Sequence, residues 1–106
     1  MISEERTERA VEFLRDTAEK YGQARGYVAY CEGNLRRVKA LEMVSKAGGL
    51  GEREAAAYAS APYCTALEAL QNAVCECETI KARREAAELT IEVWRSQNSS
   101  KRMGVV

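Results

Sequence analysis

Residues 45–62 read SKAGGLGEREAAAYASAP, and they contain the strongest breaks in the helical patterning of the chain. Gly48, Gly49 and Gly51 favour a turn, because glycine inside a helix costs about 1 kcal/mol relative to alanine. Pro62, the only proline, is tolerated in the first turn of a helix and not later. This segment therefore predicts the end of one helix, a glycine elbow with a short alanine-rich helix, and the start of another helix.

Before the elbow, apolar and small residues recur at three- and four-residue steps, which is the spacing of one face of an amphipathic helix. Ser3 is a suitable N-cap, and the two glutamates that follow it suit the positive end of a helix dipole. We therefore predict a helix over about residues 3–47, with a break near Gly22 and Gly26 as the alternative. The stripe consists of Val11, Leu14, Ala18, Tyr21, Ala24, Val28, Cys31, Leu35, Val38 and Leu41.

After the elbow, a second stripe predicts a helix over about residues 62–96. Arg84 interrupts the stripe, and we expect it to lay its aliphatic stem along the seam while its charge stays in water. The polar, glycine-containing tail over residues 97–106 is predicted to fray. Apolar and polar residues do not alternate over a stretch long enough to predict a strand. The stripe consists of Leu67, Leu70, Val74, Cys77, Ile80, Ala87, Ile91 and Trp94.

These patterns predict a single all-α domain over residues 1–106, built as a long antiparallel helical hairpin with its elbow and short helix at 48–61. A lone hairpin buries apolar side chains along one seam only. Because 46% of the residues are apolar, a second face of each helix would keep apolar side chains exposed. We therefore expect two hairpins to pair into a four-helix bundle-like homodimer. The alternative is a monomer whose N-terminal segment folds back as a third helix at the Gly22 and Gly26 break.

Composition limits the function classes. The formal net charge is +0, with 16 basic and 16 acidic residues, so the basic excess typical of nucleic-acid binders is absent. No apolar stretch is long enough to span a bilayer, and the charged start lacks the apolar core of a signal peptide. We expect no membrane association and a cytoplasmic location, in the host cell if a phage encodes the chain. The four cysteines are then expected to be thiols.

Candidate chemical sites are each incomplete. The chain has no histidine, which removes the usual general base. Cys75 and Cys77 are separated by one residue on a predicted helix and point in different directions, unlike a zinc knuckle. The acidic sets lack the aspartate or histidine partners that magnesium or di-iron sites require. We therefore expect no catalytic residues, no metal and no cofactor. The acidic sets are Glu4, Glu5 and Glu8, and Glu85, Glu88 and Glu92.

Two basic clusters and a pair of tyrosines give the best candidate for a binding face. In an antiparallel hairpin the two clusters approach each other, and aromatic rings lie one or two turns away. Such a combination is typical of a small surface for nucleic acid or another anionic ligand, although a solvated face has the same composition. The candidate residues are Arg36, Arg37, Lys39, Lys81, Arg83, Arg84, Tyr27 and Tyr30.

Three segments carry a resemblance to a known family: Gly51-Glu52-Arg53-Glu54-Ala55, Tyr63, and residues 85–98, EAAELTIEVWRSQN. They resemble a family of bacteriophage and prophage proteins of roughly 100 residues, which share an E-R-E-A elbow and an I-E-x-W-R-x-x-N ending. The resemblance covers most of the chain. The family is uncharacterised and often encoded near phage recombination genes, so it implies phage origin and supplies no catalytic residues.

These observations lead to several functional hypotheses. The first is a non-enzymatic phage accessory protein that binds an unidentified host or phage protein, in recombination or DNA metabolism. The second is a single-strand nucleic-acid-binding accessory factor. The third is a counter-defence inhibitor of a host immune system, either anti-CRISPR-like or sequestering a signalling nucleotide. A metal-dependent nucleotide hydrolase is the least favoured.

Overall fold

The computed structural model describes residues 1–104, and all regular structure in that range is helical. The helices are α1 (Glu4–Ser45), α2 (Leu50–Tyr58) and α3 (Ala61–Arg102). The predicted all-α fold class with two long packed helices is confirmed. None of these helices combines the length and the apolar character needed to cross a bilayer.

Both ends of α1 follow from local chemistry. The Ser3 hydroxyl oxygen accepts a hydrogen bond of 3.1 Å from the Arg6 backbone N–H, which satisfies one of the unpaired donors of the first turn. At the other end the helix stops at Ser45, and Gly48 adopts a φ of +107°. That conformation is strained for residues with a Cβ, so the sequence ends the helix here.

The start of α3 uses the same kind of cap. The Ser60 side chain accepts a hydrogen bond of 3.3 Å from the Tyr63 backbone N–H, and donates one of 2.7 Å to the carbonyl oxygen of Ala57. Pro62 lies in the first turn, where its missing N–H has no helical partner to lose. A single serine therefore links the end of α2 to the beginning of α3.

Two expectations about the long helices need correction. The alternative with a break near Gly22 and Gly26 is wrong, because α1 is one continuous helix through both positions. The predicted frayed tail over 97–106 is helical as far as Arg102; residues 105–106 lie outside the described residues. The Ile2 backbone N–H donates a 3.1 Å hydrogen bond to Gln97 Oε1, and this contact, distant in sequence, supports the additional turn.

The chain divides into two compact units. The terminal unit joins residues 1–22 to the described residues from Glu78 onward, and the elbow unit is Gln23–Cys77. In the terminal unit the two helices run antiparallel, since Ile2 contacts Gln97 and Leu14 contacts Arg84. In the elbow unit, α2 follows α1 and precedes α3 in the sequence. It packs through Ala57, which is fully buried.

Small side chains form the seam in both units. Among the described residues no side chain larger than alanine is fully buried, and apart from Ile80 the larger apolar side chains of the predicted stripes remain partly exposed. Small residues allow close helix approach but bury little apolar area each. Pairing of two hairpins into a dimer stays a prediction. The buried residues are Thr7, Ala10, Cys31, Ala57, Ala66, Ala73, Cys77, Ile80 and Ala87.

Candidate binding surfaces

The predicted binding residues fall in both units, so each group is described within its own unit. The elbow unit contains Tyr27, Tyr30, Arg36, Arg37 and Lys39, and the terminal unit contains Lys81, Arg83 and Arg84. Most of these side chains are exposed, whereas Lys39 and Arg84 are half-buried.

Lys39 is held by partners inside the elbow unit. Its Nζ lies 3.0 Å from Glu54 Oε1 and 2.7 Å from the Tyr58 hydroxyl oxygen, and 4.5 Å from the centroid of the Tyr58 ring. The hydrogen bond with Tyr58, followed by the one with Glu54, raises the pKa of Lys39 above its usual 10.5. The ammonium group therefore ties α1 to α2 and contributes less to binding an external ligand than a solvated lysine would.

Arg84 is used in the same way in the terminal unit. Its Nη1 donates hydrogen bonds of 2.7 Å to the Leu14 carbonyl oxygen and 2.7 Å to the Thr17 hydroxyl oxygen. The guanidinium carbon also lies 5.4 Å from the centroid of the Tyr21 ring. The expectation that the charged group stays in water is therefore wrong, because this group joins α3 to α1.

One side of α1 in the elbow unit exposes larger side chains than the seam buries. We call it the outer face and define it by six residues that follow alternating steps of three and four, which place them along one side of a helix. Four of the six are aromatic or aliphatic and more than half exposed, from 52% for Tyr27 to 82% for Val44. The outer face consists of Tyr27, Tyr30, Asn34, Arg37, Leu41 and Val44.

The two tyrosines of the outer face are stacked. Their ring centroids are 6.1 Å apart and the rings are inclined by only 12°. A hydrogen bond with the Cys31 thiol is the largest cause that raises the pKa of Tyr27 above its usual 10.0. Tyr27 therefore stays neutral at physiological pH, and the stacked rings give this face a flat aromatic area.

Charge is scarce on the outer face. Arg37 is its only charged residue, and the guanidinium donates a 2.9 Å hydrogen bond to Asn34 Oδ1. Gly26 and Gly33 lie on the same side of the helix, and a Cβ built on either would meet nothing within 4 Å. Each glycine costs helix stability, about 1 kcal/mol relative to alanine, and no close contact inside this chain explains that cost.

The terminal unit has a shallow basic groove. Arg6, Arg9 and Arg83 line this groove of about 430 Å³. No carboxylate of the described residues lies within ion-pair distance of these arginines. Unpaired arginines suit a phosphate or carboxylate ligand. Of the three, sequence reasoning identified only Arg83. The other residues that line the groove are Ala10, Phe13, Ala86, Ala87 and Thr90, all apolar except Thr90.

A second groove of the terminal unit lies beside Trp94. It measures about 610 Å³ and is also lined by Met1, Asn98, Lys101 and Arg102. Arg95 on its rim forms a 2.9 Å ion pair with Glu92, and both side chains are largely exposed. Exposed pairs of this kind contribute little, so this groove has less definite chemistry than the basic groove.

The residues with potential for metal chemistry do not converge. Cys75 is exposed and Cys77 is buried, so the two thiols point to different sides of α3, as their spacing predicts. Within residues 1–104, no group of three or more cysteine, aspartate or glutamate side chains is arranged to hold a metal ion.

No protein-family model, curated protein or solved structure matches this chain. The functional interpretation therefore depends on the surfaces themselves, and the outer face and the basic groove are the two with definite chemistry.

Proposed function

We propose that this chain is a non-enzymatic bacteriophage accessory protein that acts as a homodimer and binds another protein in phage recombination or DNA metabolism. The observation that carries the binding role is the outer face, a charge-poor row of exposed tyrosine, leucine and valine side chains on a chain in which 30% of residues are charged. The phage setting rests on the family resemblance of the elbow and the C-terminal segment.

The chemistry of the outer face supports a protein ligand. Protein–protein interfaces are enriched in tyrosine and depleted of charge at their centres. Tyr27 and Tyr30 supply rigid aromatic area, and Leu41 and Val44 supply aliphatic area further along the same side of the helix. A phosphate-binding surface would instead need several cations, and here Arg37 is the only one.

Two exposed leucines allow a matched test. Leu41 is on the outer face and 56% exposed, whereas Leu89 is on α3 in the terminal unit and 64% exposed. Tagged wild-type chain, Leu41→Glu and Leu89→Glu are each expressed in bacteria carrying the phage genome, and the retained proteins are identified by mass spectrometry. We expect a stoichiometric partner with wild type and Leu89→Glu and its loss with Leu41→Glu.

The identity of the partner separates the related hypotheses. A phage recombination protein supports the accessory role, and a host nuclease or immune component supports the counter-defence alternative. If the three baits retain the same proteins, the outer face is not the binding surface and the proposal fails.

The basic groove favours a second candidate, a single-strand nucleic-acid-binding accessory factor. Three unpaired arginines beside a mostly apolar lining give a local cationic surface despite the formal net charge of +0. Three phosphate contacts to a single strand predict that a plot of the logarithm of the binding constant against the logarithm of the salt concentration has a slope of about −2. Fluorescence anisotropy with a labelled single-stranded oligonucleotide measures that slope.

The variants of this test separate the two basic surfaces. Arg6→Ala with Arg9→Ala removes part of the basic groove, and Arg36→Ala with Arg37→Ala removes two exposed arginines of the elbow unit. The candidate predicts loss of binding only for the first pair. Equal losses with both pairs indicate non-specific attraction and refute it.

A further inference from the structure

The chain exposes more surface than a monomer of its size. Its accessible surface is 7599 Å², whereas a folded monomer of 11.8 kDa has about 5,900 Å². The excess of about 1,700 Å² is larger than the roughly 800 Å² that each partner contributes to a standard interface. Covering an area of ordinary interface size would therefore still leave the chain with at least the exposed surface of a compact monomer of its mass.

The outer face has the form of a helix-binding surface. Its residues recur with the alternating three- and four-residue steps by which one helix meets another along a seam. Gly26 and Gly33 leave space beside that row, and positions without a side chain permit close approach of another backbone. Residues 27–44 cover about 26 Å of helix, long enough for several turns of a neighbouring helix.

We propose that a second copy of this chain covers the outer face, with the two α1 helices antiparallel about a two-fold axis level with the peptide bond between Leu35 and Arg36. This inference rests on the proposed function, because it assigns the outer face to the contact between the two copies of the homodimer; the other protein then binds the assembled dimer, so that Leu41→Glu removes both by separating the copies. Homodimers with two-fold symmetry use the same patch on both subunits, so the outer face must be complementary to itself.

The antiparallel register satisfies that requirement. It places residues whose numbers add to 71 opposite each other: Tyr27 meets the partner's Val44, and Tyr30 meets the partner's Leu41. At the centre Arg37 meets the partner's Asn34, whose side-chain oxygen accepts a hydrogen bond from the arginine of its own chain. Each aromatic ring thus faces an aliphatic side chain, and the polar residues face each other.

A parallel arrangement is less favourable. It pairs each residue with its own copy, so Arg37 faces Arg37 directly, and like charges opposite each other oppose association. The antiparallel register offsets the two arginines by three residues, about 4.5 Å along the axis, so the charge of the outer face favours that arrangement.

Sedimentation velocity on the full chain from about 1 to 100 µM, a range in which mass action shifts an ordinary dimer, measures the association. We expect wild type and Leu89→Glu to dimerise, and Leu41→Glu to raise the dimer Kd by about 100-fold or more, because it buries an unpaired charge. Circular dichroism verifies that all three chains are helical, so that a folding defect is recognised. Monomeric wild type across this range overturns the proposal.

Cysteine pairing tests the register. In a Cys64→Ser/Cys75→Ser background, which removes the two exposed thiols, chains with Tyr30→Cys and chains with Leu41→Cys carry tags of different length and are mixed with diamide as oxidant. We expect disulfides between the two different chains. Disulfides between two Tyr30→Cys chains contradict the antiparallel register, since that register separates the two introduced thiols by 11 residues along the axis, about 16 Å.

The two proposals fail in different ways. A chain that stays monomeric but retains a partner sensitive to Leu41→Glu refutes the second copy and leaves the proposed binding role in place. A dimer disrupted by Leu41→Glu, combined with unchanged protein capture, supports the second copy and refutes the role of this surface in binding another protein.

Discussion

Replacement of the glycines inside α1 gives a quantitative test of the fold and of the dimer together. Gly22 lies in the middle of the helix, with no positive φ, and a Cβ there would meet nothing within 4 Å. Gly22→Ala therefore gains the helix-propensity difference without steric cost. We expect the free energy of unfolding to rise by about 1 kcal/mol, which raises the Tm by roughly 4–8 °C for a domain of this size.

Gly33→Ala is the matched variant beside the outer face. The Cβ position at Gly33 is equally open within one chain, so the isolated monomer should gain about 1 kcal/mol as well. In the proposed dimer the new methyl group enters the space through which the second helix approaches. The gain should therefore shrink or reverse when the protein is concentrated enough to dimerise.

Urea unfolding followed by helical circular dichroism, at a low and a high protein concentration, measures both variants. Agreement of Gly22→Ala and Gly33→Ala at low concentration, with a smaller gain for Gly33→Ala at high concentration, supports the reasoning. If Gly22→Ala does not stabilise the chain, α1 is not a continuous helix at that residue. If the two variants agree at both concentrations, no helix lies against Gly33.

Three further changes test the elbow and the seam. Gly48→Ala should destabilise the chain by about 1–2 kcal/mol in urea unfolding, because the φ of +107° disfavours a Cβ; the Glu52 carboxylate, which is nearest to that Cβ, can move aside. Arg84→Ala removes two hydrogen bonds to α1 and should cost about 1–3 kcal/mol, measured in the same way with the exposed Arg83→Ala as control. The pKa of Lys39 is raised on folding, so the contribution of Lys39 to stability is complete below pH 10.5 and is lost as the pH rises through its folded-state pKa. The difference in unfolding free energy between wild type and Lys39→Met, measured from neutral pH upward, should therefore stay constant up to pH 10.5 and fall above it.

The helix boundaries near the elbow could be predicted from sequence because they depend on nearby residues. Gly48 ends a helix through its own backbone, and Ser60 and Pro62 start one through the first turn. The end of α3 could not be predicted in this way. Gln97 is held by the backbone of Ile2, a contact across 95 positions that no local pattern contains.

The sequence did not distinguish cations available to a ligand from cations that hold the fold together, because the contacts of the latter are again distant in sequence. Sequence clusters show that Lys39 and Arg84 are basic, but only the fold shows that both charges are satisfied by α1 and α2 groups. The predicted stripe also assigned Leu41 to the seam, whereas it is 56% exposed. Steps of three and four residues connect Leu41 both to the predicted stripe and to Tyr27 and Tyr30. The spacing from the two tyrosines was the signal that could have placed Leu41 on the outer face.

The thin seam and the exposed outer face have a common consequence for stability. Alanine and cysteine dominate the buried set, and Ile80 is the one larger aliphatic side chain among the described buried residues. At about 25 cal/mol per Å² of apolar area removed from water, such a seam supplies little stabilisation compared with the entropy of ordering two 42-residue helices. The tyrosine, leucine and valine of the outer face hold the apolar area that the seam lacks. If a second copy covers them, folding and association are linked, and the midpoint of thermal unfolding must rise with the concentration of the chain itself. If a different protein covers them, the midpoint is independent of chain concentration and rises only when that protein is added.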